Sequence, residues 1–333
     1  MVGRPLRVGV VGVGHLGRHH ARIYKSLGVL AAVADLDPAR AAEVAAQNGV
    51  PGHTDFRELL DRVDAASVAV PTSAHVEVAR AFLERGIPVL VEKPLAPTAE
   101  EGEELCRIAR SRRVPLQVGH VERFHPAVTA VLDIVRKPRF IEVHRLSPFK
   151  ARSLDIDVVM DLMIHDLDLV LHLSPAPLAR VDAVGTSLLF GRVDIANARL
   201  EFEDGCVANL TASRISNKAM RKTRIFSEDC YATVDTLAKE AWIYRTTPQL
   251  AEALARLPKD RDLTLEDLAS IPKEFYSIRK VDLPDEEPLA RELESFLACV
   301  REGREPLVPG EQGVRALRAA ERVLAEIRSH RWT

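Results

Sequence analysis

Six residues near the amino end restrict the fold most sharply. GVGHLG, residues 12–17, follows directly on an apolar run at 6–11 and opens a helix-patterned segment at 16–27. A strand that turns through G-x-G-x-x-G into a helix is the first βαβ turn of a dinucleotide-binding sheet. Each glycine has its own task there. Gly12 permits the tight turn, Gly14 lets the backbone approach a pyrophosphate, and Gly17 lets helix and strand pack closely. The N–H groups and positive dipole end of the helix then face the phosphates. The expected cofactor contacts in this loop are Gly12, Gly14, His15, Leu16 and Gly17.

The rhythm continues for about 120 residues. Strands are read at 29–35, 65–70, 88–91 and 116–119. Helices are read at 38–48, 56–61, 73–85 and 98–112. Asp37 as N-cap, Pro38 at the first helical position and Gly49 past the end delimit the first of these, and Thr98 with Glu101 forms a capping box for the last. This alternation implies parallel strands covered by helices on both faces, a doubly wound sheet. Beyond about residue 122 the pattern changes. A strand at 140–146 and one helix at 158–173 precede strand-like runs at 181–190, 196–202, 207–213, 222–226, 231–235 and 241–244, with Asp204-Gly205 as a hairpin signal. Residues 246–287 read as loops with a short helix, and helices at 289–301 and 312–328 close the chain. The expected fold class is α/β. An NAD-binding Rossmann domain spans 1–122, and a substrate-binding and oligomerisation domain, α+β with a mostly antiparallel open sheet, spans 123–333. The 333 residues suit two domains.

Bulk properties narrow the function. A formal charge of −2 offers no basic field to nucleic acid. No apolar stretch approaches the ~18 residues of a membrane span. The four cysteines form no CxxC pair and read as buried thiols in a reducing compartment, so a cytoplasmic protein is expected.

Asp35 ends the second strand, 21 residues beyond Gly14, at the spacing of a ribose-binding acid. A carboxylate there accepts from ribose hydroxyls and repels a 2′-phosphate, which favours NAD. Arg40 nearby could serve that phosphate and keeps NADP as the second choice. Lys93, in Glu92-Lys93-Pro94, follows a strand whose carboxyl end faces the ligand crevice, where a partly desolvated lysine can shuttle a proton; taken alone it reads sooner as a solvated surface charge. Asp161 and His165 lie four apart and share a helix face, so the carboxylate can hold the imidazole in one tautomer. Asp166, Asp168 and His172 nearby raise a metal site as the alternative, but the spacing is not HExxH and no metal is expected.

The chain resembles the Gfo/Idh/MocA family through GVGHLGRHHA (12–21), VPTSAH (70–75), VEKPLA (91–96) and MDLMIHDLDL (160–169). The resemblance covers nearly the whole chain. It implies an oxidoreductase acting on a secondary alcohol of a sugar or polyol, with Lys93 and His165 as the acid–base pair. By the same resemblance Asp161 orients His165 or the substrate, Glu92 positions Lys93 and the cofactor, and Pro71, Thr72 and His75 lie along the dinucleotide. GHVERFHPA (119–127) is similar to GHVERFNPA of the family's nucleotide-sugar dehydrogenases, His125 departing from the asparagine. That similarity implies a UDP-N-acetyl amino sugar oxidised at its 3-hydroxyl. It places His120, Arg123 and Phe124 at the substrate. Arg214, with Lys218 and Arg221, could grip a diphosphate; a solvated charged loop is the alternative, chiefly for the latter two. Another sugar or inositol dehydrogenase, or a dinucleotide-binding sensor without catalysis, are the competing functions. The family habit implies a homodimer or homotetramer.

Overall fold

The computed structural model describes residues 5–132, 134–149, 156–188, 191–228, 230–259, 262, 264, 267 and 270–330. Two compact units emerge, Met1–Phe124 with Glu286–Glu321, and His125–Asp285 with Arg322–Thr333. The expected boundary at 122 therefore falls close by, but residues 286–321 belong to the first unit and not, as the sequence reading had it, to the second.

In the first unit β1 (Val8–Val11), β2 (Leu30–Ala34), β3 (Gly52–His53), β4 (Ala65–Val68), β5 (Val89–Glu92) and β6 (Leu116–Gly119) form one sheet in the order β3-β2-β1-β4-β5-β6. All its pairings are parallel, with Val8 opposite Ala65 and Val10 opposite Ser67. This is the doubly wound order with its crevice at the carboxyl ends of the strands. Helices α1 (Gly17–Ser26), α2 (Pro38–Asn48), α3 (Thr72–Glu84) and α4 (Ala99–Arg112) connect them. The caps are the expected ones. Asp37 accepts from the N–H groups of Ala39 and Arg40, Gly49 adopts φ +65°, and Thr98 accepts from Glu101 N.

The return of 286–321 has a physical cause. Helix α8 (Pro288–Glu302) carries an apolar stripe, Leu293, Phe296 and Leu297, that enters one core with Val8, Val10, Ile23 and Tyr24. Each such side chain contributes about 1.5–3 kcal/mol on burial. Helix α9 (Gly310–Ser329) lies so close to α4 that a Cβ on Gly102 would meet Val314 at 3.1 Å.

The second unit holds an eight-stranded mixed sheet in the order β14-β13-β12-β11-β7-β10-β9-β8. Its strands are β7 (Phe140–Leu146), β8 (Leu178–Thr186), β9 (Ile195–Phe202), β10 (Val207–Ser213), β11 (Met220–Phe226), β12 (Cys230–Asp235), β13 (Glu240–Thr246) and β14 (Tyr276–Lys280). Only β7 and β10 pair in parallel; the other neighbours are antiparallel. Two short helices, α5 (Pro126–Leu132) and α7 (Pro248–Ala255), complete it with α6 (Ile164–Leu173).

The segment at 158–173 is not one uniform helix. A π-turn, Val159–Met163, precedes α6. Such turns recur at functional sites because the additional residue redirects side chains. Two buried ion pairs frame this element. Arg145 on β7 reaches Asp166 on α6 at 2.7–2.9 Å, and Arg214 reaches the fully buried Asp194 at 2.8 Å while donating to Ile156 O at 2.7 Å. Removing one partner of such a pair typically costs about 3–5 kcal/mol. Among the described residues no helix is long and apolar enough to cross a membrane.

Candidate active site

The glycine loop ends β1 and forms one wall of a cavity of about 790 Å³ within the first unit, inside the size range of small-molecule pockets. Gly12, Gly14, His15, Leu16, Asp35 and Pro71 line it. The glycines differ in what requires them. Gly12 has φ +80°, and a Cβ there would sit 2.7 Å from the Ala69–Val70 backbone. A Cβ on Gly17 would lie 1.7 Å from Gly12 O. On Gly14 it would meet only Arg40 Nη1, at 3.9 Å. The protein itself thus demands glycine at 12 and 17, whereas at 14 the missing side chain keeps space open for something that is not protein. No side chain caps α1 and its first turn carries no acid, so the positive end of its dipole is left uncompensated for an anion, although Arg18 N and His19 N already donate to Gly14 O and Leu16 O. These residues fit a dinucleotide pyrophosphate.

Asp35 sits at the far wall. Its Oδ2 accepts from Val13 N at 2.9 Å, its Oδ1 from Asp37 N at 2.9 Å, and Arg40 Nη1 lies 3.3 Å from both oxygens. Arg40 also donates to Asp37 at 3.2 Å. The guanidinium that could serve a 2′-phosphate is therefore neutralised by two carboxylates, and Asp35 stays where a ribose would meet it. Replacing Asp35 with serine removes both the repulsion and one of these partners. We expect the NAD-over-NADP ratio of kcat/KM to fall at least about tenfold, about 1.4 kcal/mol; an unchanged ratio would remove Asp35 from cofactor choice.

Other expected contacts lie outside the cavity lining. Thr72 starts α3 beside Pro71. His75 is 1% exposed, with Nδ1 2.8 Å from Pro94 O and Nε2 3.0 Å from Val70 O. Burial pushes its imidazole below the usual range against the pull of those carbonyls, and the neutral ring has one N–H to donate to one of them. The reading also missed Leu36, Phe56 and Arg57 on the cavity wall. Leu36 is 89% exposed, an apolar side chain left in water unless a ligand covers it. The signal available in sequence was position alone, immediately past the ends of β2 and β3.

Lys93 stands half-buried at the carboxyl end of β5, the same edge of the parallel sheet that carries the glycine loop. The buried Glu92 accepts from Lys93 N at 3.3 Å. Burial raises the Glu92 carboxyl, but a hydrogen bond from His20 and the charge of Lys93 help to outweigh it and hold the group below the ordinary carboxylate range. His120, Arg123 and Phe124 follow β6 and are buried at 1–3% exposure, with Arg123 donating to Gln312 on α9 at 3.1 Å. In the second unit Asp161 lies in the π-turn and His165 on α6, both half-buried. Arg214 is 6% exposed and engaged by Asp194 and Ile156 O, while Lys218 and Arg221 are exposed. Among the described residues no cluster of three His, Cys, Asp or Glu is placed to hold a metal.

A parallel sheet of this order, with a glycine loop opening an uncapped helix and an acid closing the second strand, defines a dinucleotide-binding oxidoreductase fold. Residues 6–120 match the oxidoreductase family with NAD-binding Rossmann fold, and 135–233 match the GFO/IDH/MocA C-terminal domain. The chain is 40% identical over 319 residues, 96% of both chains, to a UDP-N-acetylglucosamine 3-dehydrogenase of Acidithiobacillus ferrooxidans. A solved structure of that enzyme superposes with a TM-score of 0.87 over 98% of each chain at 39% identity. A scyllo-inositol 2-dehydrogenase (NAD(+)) of Bacillus subtilis is 27% identical over 91% of this chain and 88% of its own. The chain belongs to the Gfo/Idh/MocA family and is an NAD-binding oxidoreductase.

Proposed function

We propose that the chain oxidises the 3-hydroxyl of a UDP-N-acetyl amino sugar, UDP-N-acetylglucosamine first, with NAD as oxidant. The observation that carries this reading is 40% identity sustained over 96% of both chains to a relative of that activity, against 27% for the inositol relative of comparable coverage. With the dinucleotide held by its pyrophosphate at the glycine loop, its nicotinamide would supply the hydride acceptor. The chain supplies alignment and proton transfer. As the carbinol C–H electron pair departs, the hydroxyl proton passes to Lys93 Nζ or to the His165 ring, and Asp161 orients His165. Retention of Lys93, Asp161 and His165 together speaks for catalysis over a sensor role.

The keto sugar so formed suits an aminotransferase in lipid A or surface-polysaccharide assembly, in the cytoplasm. A homodimer or homotetramer fits the open sheet face, where Phe140, Phe226, Tyr231 and Tyr244 form a ladder with centroids 5.7, 4.5 and 4.9 Å apart. Absorbance at the reduced-cofactor band tests the substrate. We expect UDP-N-acetylglucosamine to reduce NAD with kcat/KM at least about 100-fold above glucose or inositol, as fits a site built for the nucleotide. Turnover of inositol alone would move the chain to the inositol dehydrogenases. Tight NAD binding without any turnover would make it a sensor.

A further inference from the structure

Behind Lys93 lies a buried polar chain that the reaction, as described, does not use. His20 projects from the second turn of α1, three residues past Gly17, and is 0% exposed. Its Nδ1 lies 2.8 Å from Ser67 Oγ on β4, also fully buried, and its Nε2 lies 3.0 Å from Glu92 Oε1 on β5. The other carboxylate oxygen, Oε2, accepts from Lys93 N. Three elements thus meet in one chain of contacts: the helix that begins at the glycine loop, whose His20 bridges two neighbouring strands. Room for it is made on the fourth side by Gly119, where a Cβ would sit 3.0 Å from the Glu92 carboxyl.

We propose that His20 is a positioning residue for Lys93, acting through the Glu92 carboxylate. With its proton on Nε2, the ring donates to Glu92 and accepts the Ser67 hydroxyl at Nδ1, so one tautomer satisfies both contacts. The arrangement does for Lys93 what an outer-shell carboxylate does for a metal-bound histidine: it fixes the direction of the working group and sets its electrostatic surroundings. It also links the helix that receives the pyrophosphate to the strand that carries Lys93. The inference rests on the reading of Lys93 as a proton-transfer group.

The chemistry predicts a sign. His20 keeps Glu92 anionic in spite of burial. The titratable groups that sense this carboxylate are His20 and Tyr24 on α1, His75 on α3 and Lys93 itself, with Glu292 on α8 acting on Tyr24. Tyr24 is pushed upward by burial and stays neutral, so it adds no charge beside the carboxylate. Replacing His20 with leucine leaves a buried carboxylate short of a donor, which favours its protonated form. Lys93 then loses an anion at its back, its ammonium is less favoured, and the pH at which it becomes a base falls.

The test compares wild type, His20→Leu, His20→Gln and Lys93→Ala as full-length proteins, with NAD and UDP-N-acetylglucosamine. For His20→Leu we expect kcat to fall at least about tenfold with the KM for NAD within about twofold. The acidic limb of the kcat profile should move down by about half a pH unit or more. His20→Gln, which can still donate to Glu92, should recover most of the rate and of the limb. A wild-type rate and limb in His20→Leu would overturn the inference, as would a slower enzyme with an unmoved limb and no recovery by glutamine. Should His20→Leu fail to fold, Ser67→Ala carries the test: a smaller fall with a shift of the same sign supports the proposal, and none overturns it. Full turnover by Lys93→Ala would overturn the inference together with the reading beneath it, whereas a dead Lys93→Ala beside a normal His20→Leu would overturn the inference alone.

Discussion

Lys93→Ala is expected to lose about a thousandfold in kcat while binding NAD within about threefold of wild type, the loss typical of removing a positioned proton-transfer group. The two halves of this expectation come from different observations. Lys93 stands at the carboxyl edge of β5, half-buried, with Glu92 behind it. The residues that line the dinucleotide cavity are others, on the ends of β1, β2 and β4. Lys93→Arg separates charge from proton transfer. Arginine keeps the cation but does not deprotonate in the working range, so it should be nearly as slow as alanine. Stopped-flow absorbance gives the rate and fluorescence titration the affinity. An active arginine variant would show that Lys93 supplies charge alone, and an active alanine variant would remove it from the chemistry.

What could be read from sequence was what is local in the chain. Helix α2 has the bounds expected of it because Asp37, Pro38 and Gly49 are all chain neighbours that act on its own ends. Strand β7 matches residue for residue, since its alternation is regular, Ile141, Val143 and Arg145 facing inward. The glycine loop was legible for the same reason. Elements without a period were not. Strand β3 is two residues long, and β14 is exposed at every position, so neither leaves an apolar pattern. Helix α5 opens on Pro126, but its seven residues are too few to show a helical period. The π-turn at Val159–Met163 is indistinguishable from α-helix in sequence, because one additional residue per turn leaves no mark in so short a run. The site follows the same division. Lys93 and Asp35 were found from strand ends, whereas the burial of Arg214 against Asp194, a partner 20 residues earlier in a turn, follows only from the folded chain. The return of Leu293, Phe296 and Leu297 to the first core is likewise a long-range fact, invisible to the periodicity that revealed the helix.

Gly14→Val and Gly17→Ala should fail in opposite ways, although both lie in the same motif. Gly17 packs against the turn so tightly that a single methyl would overlap Gly12 O at 1.7 Å, a backbone atom that no side-chain rotation can move aside. The strand-to-helix turn must shift to admit it. Overpacking of this kind costs about 1–3 kcal/mol or more. If the first unit melts on its own, that is a fall in Tm on the order of 3–10 °C. Gly14 carries no such constraint: its Cβ would stand in open cavity with Arg40 Nη1 at 3.9 Å as the nearest contact, in a backbone conformation open to L-residues. Valine there should leave Tm within about 2 °C, a surface-like effect, and weaken NAD binding at least about 100-fold, since its methyls occupy space the pyrophosphate needs. Calorimetry of the two variants with and without NAD reads both quantities at once. Wild-type protein should gain stability on adding NAD by mass action, Gly17→Ala should start low and gain what remains of its affinity, and Gly14→Val should start normal and gain almost nothing. If Gly14→Val is stabilised by NAD as fully as wild type, the dinucleotide does not pass over residue 14, and the cavity beside the loop belongs to some other ligand.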